Sequence, residues 1–181
     1  MGGGKFKGKM KKKEYTDELI SIKFSDRKEI IYGFVLDYND DWTLMKYNPV
    51  DYVMDGYLLF RHKNIVGFRR DEEEEFREKV IRLKKIGSKG KEIIPIDNLE
   101  TILKFLTKKF GVFQFYAKSE KACYLGRLKS IDSKKLIIDF LDPKGKWSQT
   151  MKFRPGDIRI IQFDNDYINS LKLIAKQKRK K

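Results

Sequence analysis

The sequence predicts a mainly β fold with accessory helices, an α+β chain in which two tandem five-stranded bent β-barrels are each followed by a helix. Three observations predict it. Short apolar runs with β alternation recur between turn residues, the second half repeats the order of the first, and a lysine-rich segment lies at either end of the pattern.

The first strand is expected at Leu19-Ile20-Ser21-Ile22-Lys23-Phe24, where apolar and polar residues alternate, and Ser25 to Lys28 supplies a polar turn. A longer second strand runs from Glu29 to Tyr38. Gly33 interrupts it, as suits a sharply bent barrel strand. Trp42 to Tyr47, Tyr57 to Arg61 and Ile65 to Arg69 complete the five strands. Asp71-Glu72-Glu73-Glu74-Glu75 then opens a helix with Phe76, Val80 and Leu83 at helical spacing and Arg82, Lys84 and Lys85 at its end, the order the helix dipole favours. The glutamate run is read as a solvated helix start in preference to a metal site.

Gly87-Ser88-Lys89-Gly90-Lys91 reads as a linker ended by Pro95, and a second helix is expected from Asp97, capped by its carboxylate with Glu100 closing the box. Leu99, Ile102, Leu103 and Leu106 mark its apolar face. The pattern then repeats. Val112 to Tyr116 is a strand, Gly126 stands in Tyr124 to Leu128 as Gly33 stands in its strand, and Leu136 to Phe140 matches the third strand. Phe153-Arg154 precedes Ile158 at the interval by which Phe60-Arg61 precedes Ile65, and Tyr167, Leu171 and Ile174 reproduce the spacing of Phe76, Val80 and Leu83. The expected organisation is a basic tail over 1–13, a barrel with trailing helix over 14–86, a linker over 87–96, a helix plus second barrel with trailing helix over 97–175, and a basic tail over 176–181.

Charge is the compositional outlier, because 41 Lys and Arg against 26 Asp and Glu leave the chain at +15. The tails hold most of it. Lys5, Lys7, Lys9, Lys11, Lys12 and Lys13 lie at one end and Lys176, Lys178, Arg179, Lys180 and Lys181 at the other, with no acid in either segment. Clustered cations of this kind neutralise phosphates and release counterions. No run approaches the roughly 18 apolar residues of a membrane span, so a cytoplasmic protein is expected. The one cysteine, Cys123, is expected as a small core residue in a reducing compartment.

Catalytic chemistry finds little to stand on. His62 is the single histidine and sits between Arg61 and Lys63, and Cys123 with His62 is too small a set for structural zinc. The glycine-lysine linker lacks the phosphate-loop spacing. No enzyme, cofactor or metal is expected. Trp147, between Lys146 and Ser148, is the better candidate for base stacking, though packing on its own barrel is the favoured reading.

Gly33, Val35, Asn39 and Trp42-Thr43-Leu44 follow the spacing of one motif, and Phe60-Arg61-His62-Lys63-Asn64-Ile65 that of another, apolar-Arg-Gly-x-x-apolar, with His62 in place of glycine. At these residues the chain resembles the Sm and Sm-like family, SH3-like bent five-stranded barrels that assemble into rings and bind RNA. Gly126, Leu128, Asp132 and Arg154 follow it in the second half, where Leu136 replaces asparagine and Pro155 interrupts the arginine-glycine pair. The resemblance implies base contacts at Asn39, Thr43, Arg61 and Asn64, and at Asp132 and Arg154.

The expected function is therefore a non-enzymatic nucleic-acid-associated binding protein, with RNA favoured over DNA, whose tails contact phosphates. The alternative is a structural or adaptor subunit of a larger ribonucleoprotein or viral assembly, meeting an acidic protein surface through barrel edges and tails. Either way no membrane partner is expected, and the sequence leaves open whether the protein is a monomer, an oligomer or an assembly subunit.

Overall fold

The structure, a computed structural model, describes residues 15–85, 93–118 and 120–177. The tail cations Lys5, Lys7, Lys9, Lys11, Lys12, Lys13, Lys178, Arg179, Lys180 and Lys181 lie outside the described residues, as does most of the expected linker. Ten strands and three α-helices follow in order. They are β1 (Leu19–Phe24), β2 (Ile31–Tyr38), β3 (Trp42–Asn48), β4 (Tyr57–Arg61), β5 (Ile65–Arg69), α1 (Glu72–Leu83), α2 (Leu99–Phe110), β6 (Phe113–Tyr116), β7 (Cys123–Ile131), β8 (Leu136–Leu141), β9 (Trp147–Phe153), β10 (Ile160–Phe163) and α3 (Asp166–Gln177).

All strand pairs are antiparallel, in the order β5-β1-β2-β3-β4-β10-β6-β7-β8-β9. The sheet is open. Where the sequence suggested two closed barrels there is one continuous sheet, joined at its centre by β4 and β10. Each half nonetheless has the same internal order, with β10 taking the place of β5 and β9 that of β4.

The repetition extends to detail. The register skips Leu36 between Val35 and Asp37 opposite β3, and skips Lys129 between Leu128 and Ser130 opposite β8, so each half carries the same bulge. A Cβ on Gly33 would sit 2.5 Å from the carbonyl oxygen of Lys46, and one on Gly126 would collide with that of Asp139. Both strands need glycine because a neighbouring backbone crosses closely. In each of these pairs 93 positions separate the first residue from its counterpart.

The largest buried cluster spans the joint, bringing Trp42, Leu44 and Leu59 of the first half against Ile102, Leu106, Phe115, Ile161 and Phe163 of the second. A second cluster fills the first half around Ile20, Val35, Phe60 and Phe68, and includes Ile160 from β10. A third lies under α3. The joint has polar ties as well. Asp55 Oδ1 accepts the backbone N–H of Asp166 at 2.8 Å, so a first-half carboxylate holds the first turn of a second-half helix.

Four further expectations are corrected. Phe76 and Leu83 of α1 are 59% and 73% exposed, and the buried residues of that helix are Glu74, Glu78 and Ile81. The helix turns an ionic face inward because Arg69, Arg70 and the N–H of Leu19 supply partners there. Tyr167 and Ile174 of α3 are likewise exposed, and Ile168, Leu171 and Ala175 face the core. The cap of α2 is Asn98, one residue later than expected, since its Oδ1 accepts the N–H of Thr101 at 2.9 Å. Cys123 is exposed at the start of β7 and is not a core residue.

Candidate nucleic-acid interface

Five of the residues that the family resemblance singled out, Asn39, Thr43, Arg61, Asn64 and Asp132, are held by bonds within the fold. Asn39 Oδ1 accepts the N–H groups of Asp41 and Trp42 at 2.9 and 2.8 Å, and its Nδ2 donates to the Ile96 carbonyl at 2.6 Å. Asp132 repeats the turn, accepting from the N–H groups of Lys134 and Lys135 at 2.7 and 2.8 Å. Those bonds hold its carboxyl below the usual range. An amide or acid is needed at this place because a short side chain must satisfy two turn N–H groups.

Thr43 is fully buried and His62 half-buried beside it. His62 Nδ1 lies 2.9 Å from the Asp40 carbonyl, which can only accept, so Nδ1 carries the proton and Nε2 accepts from the Thr43 hydroxyl at 2.8 Å. Burial lowers the His62 pKa more than the Asp40 carbonyl and the Asp40 and Asp41 charges raise it. Arg61 stacks over the Trp42 ring at 5.0 Å and donates to the Pro155 carbonyl at 3.5 Å, across the joint. Asn64 adopts φ 66° in the turn before β5 and donates to Asp26 Oδ2 at 2.6 Å. Arg154 is exposed at the corresponding turn of the second half. Of the implied base contacts, the structure thus brings Asn39, Thr43 and Arg61 around Trp42, while Asn64, Asp132 and Arg154 lie in separate turns.

A different set of cations converges without having been anticipated. A cavity of about 350 Å³ is lined by Lys108, Lys109 and Phe110 from the end of α2, Gly111 and Val112 after it, Arg127 of β7, Trp147 of β9, and Lys172, Ala175 and Lys176 of α3. Among the described residues no carboxylate lines it. Three local devices build the walls. Gly111 takes φ 79° and its N–H returns to the carbonyls of Leu106 and Thr107, ending α2 at the rim. Asp142 Oδ1 accepts from Lys144 and Lys146 N–H at 2.9 and 2.8 Å, which folds the β8–β9 turn against α3 and sets the entry to Trp147. Arg127 lies 4.5 Å over the Trp147 ring, with its Nε held by Asp139 at 3.1 Å. Lys172 and Lys176 are four apart on α3 and share a face. That spacing, with the Lys108-Lys109 pair at a helix end, is the signal in the sequence. It is weak because the cations come from three elements.

The one acidic group that could hold a cation, among the described residues, is Asp71, Glu73 and Glu74, whose carboxylate oxygens lie within 4.8 Å of one another. Arg69 already stands among them, with Nη2 2.7 Å from Glu73 and 2.8 Å from Glu74. The residues thus form a helix start bound to an arginine, with Asp71 and Glu74 making a capping box. No helix is long and apolar enough to cross a membrane, among the described residues. Comparison with family models, curated proteins and solved structures gives no match.

Proposed function

We propose that the chain is a non-enzymatic nucleic-acid-associated binding protein, built of two Sm-like five-stranded copies joined in one open sheet, in which the second copy and the tails meet the phosphates. The observation that carries this reading is a sorting of charge along the fold. Residues 15–85 hold 13 Lys and Arg against 15 Asp and Glu, a net of −2, whereas residues 93–177 hold 16 against 9, a net of +7. A polyanion is drawn to the second half and turned away from the first. α3 runs to Gln177, one residue past the cavity wall. RNA is favoured over DNA on the family motifs alone.

Titrating the full chain and a variant without residues 1–13 and 178–181 against single-stranded RNA at several salt concentrations tests this. The variant should bind orders of magnitude more weakly, with a log–log salt slope reduced by about 0.7 for each phosphate no longer neutralised. Absence of binding by the full chain at low salt overturns the reading.

A second reading, an assembly subunit, is favoured by the two ends of the sheet. Among the described residues β5 and β9 each have one unpaired edge, and they correspond to β10 and β4, which pair with each other at the joint. Copies could thus pair head to tail in the manner already seen within one chain. Val66, 48% exposed on β5, marks that edge. Val66→Lys should abolish any concentration-dependent oligomer seen by sedimentation, and a monomer at all concentrations in the parent chain removes this reading.

A further inference from the structure

Resting on the nucleic-acid reading, we infer that the cavity between α2, α3 and Trp147 is the seat for backbone phosphates of a single-stranded RNA, separate from the turn residues implied by the family motifs. Two helix C-termini reach this cavity, each bringing a partial charge of roughly −0.5, and lysines there are commonly explained by that dipole alone. Five cations line the cavity, however, and Lys108, Lys172 and Lys176 alone exceed both dipoles by about two positive charges. Asp139 takes the Nε of Arg127, and Lys172 donates to the neutral Asn169 at 3.2 Å.

The volume admits a phosphodiester, and a Cβ placed on Gly111 meets nothing within 4 Å, so the rim is open at the helix end. Arg127, with its guanidinium carbon 4.5 Å from the Trp147 ring centre, offers a planar cation held in place by the ring and by Asp139 at its Nε. A strand threaded here would meet lysines from both helices. Duplex is disfavoured because the lysines surround a concavity and do not form a flat stripe.

The test uses the full chain with a short oligouridine. Lys108→Ala/Lys176→Ala should lower the log–log salt slope by about 1.4, two phosphates at about 0.7 each, whereas Lys79→Ala/Lys85→Ala on and just after α1 should leave it unchanged. Trp42 is buried, so iodide quenching of tryptophan fluorescence reports on Trp147, and RNA should shield it. Equal slopes for the Lys108/Lys176 variant and the parent overturn the seat while leaving the nucleic-acid reading in place. Shielding by inorganic phosphate as strong as by RNA, at equal phosphate concentration, assigns the cavity to the free anion and overturns the strand. No binding by the parent chain overturns both.

Discussion

Residues 31–70 and 124–163 share strand order, bulge and a glycine crossed by a neighbouring backbone, yet the helix that follows each is docked by different chemistry. α1 is held by ions. Glu78 accepts the Leu19 N–H at 2.9 Å, Arg70 at 2.7 Å and Arg82 at 2.6 Å, while buried Glu74 meets Arg69. α3 is held by Ile168, Leu171 and Ala175 on an apolar cluster with Val112, Leu125 and Leu141. One topology therefore accepts either kind of packing at the same place. The acids bound inside the first half leave it with a net charge of −2, and the second half, whose α3 is docked by apolar residues and by the first-half carboxylate of Asp55, holds a surplus of lysine.

Removing one ionic partner should break this contrast most. Glu78→Ala removes one of the two carboxylates that hold Arg70 and strands the Leu19 N–H, and should cost about 1–3 kcal/mol in chemical denaturation. Acid separates the two helices further. Burial raises the Glu78 pKa, but the Leu19 N–H, Arg82 and Arg70 outweigh it and hold the carboxyl below its ordinary 4.5. Its stabilisation is therefore complete above pH 4.5 and fades as the pH falls toward the depressed value. Hydrogen exchange should show α1 amides opening at a higher pH than those of α3.

Arg61→Ala sharpens the comparison across the joint, since it removes the stack on Trp42 and the bond to Pro155. The expected cost is about 0.5–2 kcal/mol of stability. Affinity for RNA per folded molecule should stay within twofold, and a weakening confined to one base sequence would restore Arg61 as a reading residue. The smallest effect concerns His62. Its pKa is lowered in the fold, so its contribution is full above its ordinary 6.5 and fades as the pH falls through the folded value. His62→Gln should flatten the urea midpoint between pH 7 and pH 5 by a fraction of the Glu78 effect.

Much of the fold was legible because strands announce themselves locally. β1, β4 and β5 run between the residues expected from alternation and turn chemistry. Helix faces were harder to read, for the 3.6 period finds apolar rows, and α1 buries Glu74 and Glu78 on a row the period ranks as polar. The pairing of β4 with β10 left no local trace. Its apolar run Leu58-Leu59-Phe60 is equally consistent with burial against any neighbour. In the site, the motif spacing picked out Asn39 and Asp132 but carried no sign that they shape turns. The lysines around Trp147 are scattered from 108 to 176, and only the fold brings them together.

The join of β4 to β10 also governs how the chain reaches its folded state. Phe60 sits opposite Ile160, one hundred positions on, so this ladder closes a far longer loop than the hairpins beside it. Hairpins and helices close early, and the central seam zips late. Until it does, each half presents a naked strand, Leu58 to Phe60 on one side and Ile160 to Phe163 on the other, to whatever chain is nearest. A ribosome that has released only the first half holds out such an edge for the time needed to make the second. Two copies on one polypeptide keep the matching edge at a high effective concentration, and a cut between them would turn a folding partner into an aggregation hazard.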